Sequence, residues 1–186
     1  AGFFSSSWNW TNGASIEAYG TAIDAITFSD SAQTLWTAAD LIQRAGNIAT
    51  GGASNDNLLG TPGNDWLDGG IGLDQMTGML GDDVYAVDQP GDQVIELLSG
   101  GIDQVRATVS YILSTNVEAL MLIGPNALSA TGNPLDNTLT GNNADNLLDG
   151  QAGADLMIGQ KGNDHYLVEN ISDLVIEQAN EGLDTI

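Results

Sequence analysis

Aspartate recurs at a fixed nine-residue step along part of the chain. In residues 51–86 the sixth position of every nonapeptide is an aspartate: Asp56, Asp65, Asp74 and Asp83. If such repeats stack, carboxylates about 5 Å apart repel by roughly 3 kcal/mol at an effective dielectric constant near 20. A divalent cation held between them reverses the sign of this interaction. The spacing therefore indicates a chain of metal sites.

The residue types available favour calcium over other metals. The chain has no cysteine and a single histidine, so the ligands are carboxylate and carbonyl oxygens. Oxygen ligands on flexible turns suit Ca²⁺ better than Mg²⁺, which demands a tighter octahedron. The pattern recurs in residues 132–167, where Asn137 and Asn146 replace the first two aspartates. Each stacked pair there has one formal charge fewer, and we expect weaker calcium binding.

Glycine and one large apolar residue complete each nonapeptide. The first position is glycine in all eight repeats, and the eighth is Leu, Leu, Met and Tyr in turn in both stretches. Three residues such as Asn57–Leu59 can form a short strand whose middle side chain points to one face. Glycines then let the chain turn back. Two nonapeptides make one coil, and the next coil stacks on it at about 4.8 Å, the strand spacing of a β-sheet.

A longer unit surrounds the nonapeptides. Residues 51–105 align without a gap on residues 132–186, and self-similarity on this scale is typical of a solenoid. We call this unit the long repeat. Residues 87–131 contain longer apolar runs, which indicate strands without the tight turns, and we expect a wider solenoid coil there. Because the chain stops within its second unit, we expect it to be a piece of a longer array.

The first fifty residues lack the repeat. Asn12 and Gly13 lie between apolar stretches and are typical of a hairpin turn. Residues 24–28 alternate like a strand, and residues 37–46 predict a short helix with capping residues at both ends. We expect residues 1–50 to form a linking or capping element.

Charge and motifs exclude several classes of function. The chain carries 25 acidic and 3 basic residues, a formal net charge of −22, which is unfavourable for binding nucleic acid or an anionic membrane. No apolar run is long enough to insert across a membrane. Neither a G-x-S-x-G elbow nor an H-E-x-x-H motif is present, and the repeat already accounts for the carboxylate pairs, so catalysis is not indicated.

The nonapeptides resemble a known repeat. GGIGLDQMT at residues 69–77 matches every fixed position of G-G-x-G-x-D-x-U-x, and four other repeats miss only the second glycine. On these residues the two blocks resemble the calcium-binding RTX repeats of haemolysin-type secreted bacterial proteins. The resemblance implies a parallel β-roll with Ca²⁺ held between stacked turns by aspartates and turn carbonyls. It also implies type I secretion, with the chain folding outside the cell.

The resemblance implies a set of calcium ligands. The side-chain ligands would be Asp56, Asp65, Asp74, Asp83, Asp155 and Asp164, with Asn137 and Asn146 at equivalent positions. The carbonyl ligands would come from Gly51, Gly60, Gly63, Gly69, Gly70, Ile71, Gly72, Gly78, Gly81, Gly150, Gly153, Gly159 and Gly162. Four further aspartates are interpreted as turn residues in preference to ligands: Asp92, Asp103, Asp173 and Asp184.

The predicted architecture is all-β, a parallel β-roll or β-solenoid with two tight nonapeptide blocks joined by a wider spacer. The predicted domains are residues 1–50 (linking element), 51–86 (first block), 87–131 (spacer), 132–167 (second block) and 168–186 (start of the next spacer). The predicted cofactor is Ca²⁺, with several ions bound.

The predicted function is a calcium-binding structural module of a secreted or cell-surface bacterial protein. It would fold on Ca²⁺ outside the cell and act as a scaffold, adhesive, filament or surface-layer component, with self-association into an array. The alternative is the non-catalytic secretion and folding module of a type I-secreted enzyme, such as a protease, lipase or polysaccharide epimerase, or of a toxin. Carbohydrate binding by aromatic residues before position 37 is less favoured than a core role for them.

Overall fold

The computed structural model describes residues 47–186 in full, together with the backbone of four strands nearer the N-terminus. The chain divides into two units, Ala1–Ala45 and Gly46–Ile186. Every regular element in the described residues is a β-strand, so the all-β prediction is confirmed. Within those residues the structure contains no helix of the length and hydrophobicity needed to cross a bilayer.

The first unit is an antiparallel meander. Its strands are β1 (Ser5–Asn9), β2 (Ala14–Tyr19), β3 (Ala22–Phe28) and β4 (Leu35–Thr37), paired in that order. The antiparallel β1–β2 pair confirms the predicted hairpin, and the strand predicted over residues 24–28 lies within β3. Thr37 ends β4, and the rest of the helix predicted over residues 37–46 lies outside the described residues, as do the aromatic side chains considered for carbohydrate binding.

The second unit is a parallel β-solenoid of short strands. They are β5 (Ile48–Thr50), β6 (Asn57–Leu59), β7 (Trp66–Asp68), β8 (Gln75–Thr77), β9 (Val84–Val87), β10 (Gln93–Ile95), β11 (Gln104–Ala107), β12 (Tyr111–Ile112), β13 (Ala119–Leu122), β14 (Ser129–Thr131), β15 (Thr138–Thr140), β16 (Leu147–Asp149), β17 (Leu156–Ile158), β18 (His165–Leu167) and β19 (Leu174–Ile176). One face is a continuous sheet in the order β19-β17-β15-β13-β11-β9-β7-β5. The other face has two sheets, β10-β8-β6 and β12-β14-β16-β18.

The core is the stack of eighth-position side chains. In each nonapeptide strand the middle residue points inward, because successive residues of a strand face opposite sides. Leu67 pairs with Tyr85 and Leu58 with Met76 in register, so the eighth positions lie on one another from coil to coil. Seven of the eight are buried: Leu67, Met76, Tyr85, Leu139, Leu148, Met157 and Tyr166.

The spacer continues the solenoid with coils of uneven length. In the blocks, residues that pair across coils are separated by two nonapeptides, as Leu67 and Tyr85 are. Along the sequence, Gln104 is more than two nonapeptides from its partner Val84. It is fewer than two nonapeptides from its other partner, Ala119. The first face therefore runs through the spacer without a break, whereas the second face is interrupted between β10 and β12.

We expect Leu67→Ala to destabilise the calcium-loaded solenoid by about 2–5 kcal/mol, because the substitution leaves a cavity in a core that cannot collapse around it. Leu67 is fully buried, whereas Leu59 is 62% exposed, so Leu59→Ala is a matched control with little expected effect. Urea unfolding at saturating Ca²⁺ measures both. Equal losses of stability from the two variants would contradict the assignment of the core.

Candidate calcium sites in the stacked turns

A ladder of carboxylates links successive coils. In each nonapeptide the sixth-position side chain points inward. The Oδ1 atom of the sixth-position aspartate on the later coil accepts a hydrogen bond. The donor is the backbone N–H of the sixth-position residue one coil earlier. The donor–acceptor distances are 2.7 Å from Asp56 to Asp74, 2.7 Å from Asp65 to Asp83, 2.8 Å from Asn137 to Asp155 and 2.7 Å from Asn146 to Asp164. The stacked pairs expected from the spacing are therefore present.

The same ladder extends beyond the nonapeptides into the spacers. Asp92 accepts from the N–H of Asp74 and Asp103 from that of Asp83, at 3.1 and 2.8 Å. At the equivalent places after the second block, Asp155 N–H donates to Asp173 and Asp164 N–H donates to Asp184. The four aspartates interpreted from sequence as turn residues thus accept the same backbone hydrogen bond as the repeat aspartates do.

The second carboxylate oxygen divides the ladder into two classes. Oδ2 of Asp56 accepts a hydrogen bond at 2.7 Å from Gly52 N–H in its own turn, and Asp65 Oδ2 accepts similarly from Thr61. The corresponding oxygens one coil later are buried and have no partner, at Asp74, Asp83, Asp155 and Asp164. Each of these four residues is 1% exposed. A buried, unpartnered carboxylate oxygen is costly, and a cation would complete it.

Backbone carbonyl oxygens approach the same turns. The carbonyls of Gly69, Gly78, Gly150 and Gly159 face the first-position glycine one coil earlier, at Gly51, Gly60, Gly132 and Gly141. At the fourth position the relation is reversed. There the glycine of the later coil faces a carbonyl of the preceding coil. The pairs are Gly72 with Ser54, Gly81 with Gly63, Gly153 with Leu135 and Gly162 with Ala144. At the second position, Gly70 likewise faces the Gly52 carbonyl. The Ile71 N–H donates to the Gly52 carbonyl at 2.9 Å.

The donor set of these turns fits calcium. It consists of carboxylate and carbonyl oxygens held on turns, the hard ligands that Ca²⁺ prefers. Burial raises the pKa of Asp83 to about 7 and that of Asp164 to about 6, and it also raises the pKa of Asp155. The backbone N–H on each rung opposes this rise in pKa, while nearby carboxylates add to it. Because a proton and a cation compete for these oxygens, calcium binding is expected to release protons.

Asparagine occupies the sixth position where the second block meets the spacer before it. Oδ1 of Asn137 accepts from Asn133 N–H at 2.7 Å, and Nδ2 donates to the carbonyls of Val117 and Glu118 in the spacer coil beneath. Nδ2 of Asn146 donates to the Leu128 carbonyl in the same manner. A carboxylate could not make these donor contacts. The two asparagines, expected from sequence to be weak calcium ligands, thus connect the second block to the spacer.

Two glutamates near the ladder were missed by the sequence reasoning. Carboxylate oxygens of Glu96, Asp83 and Asp103 lie within 4.8 Å of one another. The same holds for Glu177, Asp164 and Asp184. A signal was present, because the long repeat carries Val-Ile-Glu at positions 94–96 onto the same residues at positions 175–177. Strand alternation places the glutamate on the inward face with the valine two residues before it.

We expect Gly81→Ala to weaken calcium-induced folding strongly. The φ angle of Gly81 is 110°, and a Cβ there would lie 2.7 Å from the Gly63 carbonyl oxygen and 2.8 Å from Asn64 N, so the coils would have to separate. Gly124 is the matched control, since its φ is 90° and a Cβ would meet nothing within 4 Å. The midpoint of a Ca²⁺ titration followed by circular dichroism measures both. A similar shift for both variants would mean that backbone conformation, and not the spacing of the coils, is responsible.

We expect Asn137→Asp to destabilise the second block instead of strengthening its calcium binding. The change removes donors from two spacer carbonyls, at a cost of about 1–3 kcal/mol for buried groups left unpaired. Urea unfolding in saturating Ca²⁺ measures the loss. Asn55→Asp adds the same charge at an exposed position and keeps the oxygen that accepts from Leu73 N–H, so it should be nearly neutral. A gain in calcium affinity for Asn137→Asp would support the simple charge argument.

The chain is 36% identical over 93 residues to the endo-1,3-1,4-beta-glycanase ExsH of Rhizobium meliloti (strain 1021). The alignment covers 49% of this chain and 19% of that relative. No solved structure matches the chain.

The model of the RTX calcium-binding nonapeptide repeat matches residues 50–85 and 131–166. These matches coincide with the two stretches in which the carboxylate ladder, the buried eighth-position side chains and the facing carbonyls repeat every coil. RTX repeats of this family bind Ca²⁺, in agreement with the oxygen-only donor set of the turns. The two blocks of this chain match the RTX calcium-binding nonapeptide repeat family.

Proposed function

We propose that this chain is a calcium-dependent folding module of a secreted bacterial protein and serves as an extracellular scaffold. The observation that carries the proposal is the set of buried, unpartnered Oδ2 atoms on Asp74, Asp83, Asp155 and Asp164. Each lies on a coil that has a second coil directly beneath it. These four residues, with the turn carbonyls around them, are proposed to hold Ca²⁺ between the coils.

The protein carries negative charge that its own basic residues do not neutralise. The chain has 3 basic residues against 25 acidic ones, and one of them, Arg106, packs over the ring of Trp66 at 5.6 Å. Without a cation, burying the ladder costs desolvation and repulsion. Free Ca²⁺ at ten to a hundred times Kd would stabilise the fold by roughly 1.4–2.7 kcal/mol per site.

Several sites acting together would make folding depend on the free Ca²⁺ concentration around the chain. In a cytosol poor in free Ca²⁺ the repeats would stay loose, and in calcium-rich surroundings binding and folding would proceed together. This behaviour suits a chain that is exported unfolded by type I secretion. Coils that stack along one axis also support self-association into an array at the cell surface.

A second candidate is the non-catalytic module of a secreted enzyme. The similarity to part of a protein named as a glycanase favours it. In that case the repeats would fold and stabilise a catalytic domain elsewhere in the longer protein. Sequencing the complete gene separates the two candidates: a catalytic domain beside the repeats favours the enzyme module, and many more copies of the long repeat favour the scaffold.

We expect a Ca²⁺ titration to convert a coil-like far-UV circular dichroism spectrum into a β spectrum, with no such change on adding Mg²⁺. Asp74→Asn combined with Asp83→Asn should raise the calcium midpoint by about tenfold or more, equivalent to about 1.4 kcal/mol, since two of the unpartnered carboxylates lose their charge.

The control for this experiment is Asp136→Asn combined with Asp145→Asn. It removes the same charge from exposed positions and retains the oxygens that accept from Ala154 and Asn163 N–H, so its midpoint should stay close to that of the original chain. A β spectrum that is already complete in EDTA and unmoved by Ca²⁺ would replace the folding switch with a static scaffold.

A further inference from the structure

Three acidic side chains converge where the first block meets the spacer. Oxygen atoms of Asp83, Glu96 and Asp103 lie within 4.8 Å of one another. The three residues are 1%, 7% and 0% exposed. Asp83 belongs to the last nonapeptide of the block, whereas Glu96 and Asp103 belong to the spacer, so this cluster is not a pair of stacked nonapeptide turns.

Two oxygens of the cluster are buried and have no hydrogen-bond partner. They are Oδ2 of Asp83 and Oδ2 of Asp103. The Oδ1 atoms of both residues are already used, because each accepts a backbone N–H from the coil beneath, at 2.7 and 2.8 Å. The two unpartnered carboxylate oxygens therefore point to a bound group that supplies positive charge.

Glu96 enters the cluster from the other face of the coil. It follows strand β10 on the inward side, two residues after the buried Val94. One of its oxygens accepts from the Tyr85 hydroxyl, and the other accepts from Leu97 N–H at 3.0 Å. These contacts fix the carboxylate in place, so its position does not depend on the cation.

Oxygens of Asp83 and Glu96 meet over Gly78. A Cβ on this residue would collide with the Tyr85 hydroxyl, Asp83 Oδ2 and Glu96 Oε1 together. The absence of a side chain keeps open a point surrounded by three oxygens. Calcium–oxygen distances are about 2.3–2.6 Å, so oxygens on opposite sides of one ion lie roughly 5 Å apart. The oxygens of the cluster, all within 4.8 Å of one another, satisfy this limit.

The arrangement recurs after the second block. Asp164, Glu177 and Asp184 also lie within 4.8 Å of one another, and the Tyr166 hydroxyl donates to Glu177. Oδ2 of Asp164 and Oε2 of Glu177 are buried and unpartnered. Each of these residues aligns with its counterpart in the first cluster when residues 132–186 are placed on residues 51–105. An accidental crowding of acids would have no reason to recur with the long repeat.

We propose that Asp83, Glu96 and Asp103 form a Ca²⁺ site that joins the first block to its spacer, and that Asp164, Glu177 and Asp184 form the same site after the second block. We call them the junction sites. They differ from the sites between nonapeptide turns because a glutamate from the opposite face supplies a ligand. This inference rests on the proposed calcium-dependent folding and assigns Asp83 and Asp164, the last repeat aspartates of the two blocks, to an ion at each joint with the spacer.

The test counts bound Ca²⁺ on the full chain by equilibrium dialysis and calorimetry. Glu96→Gln and Glu177→Gln should each lose one bound ion, and the double variant should lose two. Glu169→Gln, which removes the same charge from an exposed position, should bind as many ions as the original chain. Unchanged stoichiometry and affinity in folded Glu96→Gln and Glu177→Gln would overturn the junction sites.

A second measurement does not depend on the variants folding. Anomalous diffraction from crystals of the original chain grown with Ca²⁺ or Tb³⁺ should give a peak between Asp83, Glu96 and Asp103. Peaks only between nonapeptide turns would overturn the junction sites and leave the proposed function standing. A chain that binds no Ca²⁺ at all would overturn the proposed function as well.

Discussion

Burial of carboxylates between stacked coils is the constraint on which the rest of the structure depends. Aspartates such as Asp74 and Asp83 reach back to the backbone N–H one coil earlier, and this contact fixes the distance between the coils. It also carries a negative charge into a buried region, where an unpaired oxygen is costly. The fold thus combines a stabilising hydrogen bond with a charge that needs an external cation.

The apolar stack and the carboxylate ladder both contribute to the stability of the solenoid. Inward side chains such as Leu67 and Met76 form a thin core, which is only one residue wide in the three-residue strands of the blocks. So narrow a core buries little apolar surface per residue, and a small core often needs metal ions or other cross-links to be stable. Calcium held in the turns, as we propose, would supply this support, and the glycines let the backbones of successive coils approach closely.

The junctions between blocks and spacers follow different rules from the blocks. Before the second block, asparagines replace aspartates because the coil beneath offers carbonyls, which need donors. After each block, a glutamate from the opposite face joins two aspartates and a tyrosine hydroxyl. The long repeat therefore preserves the chemistry of the joints that follow the blocks as well as that of the nonapeptides.

The sequence by itself determined the periodic part of this protein. A step of nine residues fixes strand, turn, coil and the stacking of Asp56 on Asp74, because each of these depends on residues close in the chain. Only the tertiary structure decided which carboxylate oxygens remain unpartnered, that Asn137 bonds to the spacer, and that Glu96 meets Asp103. Those contacts join coils of unequal length. Which residues meet across such coils depends on the lengths of the spacer coils, and no local sequence pattern predicts this.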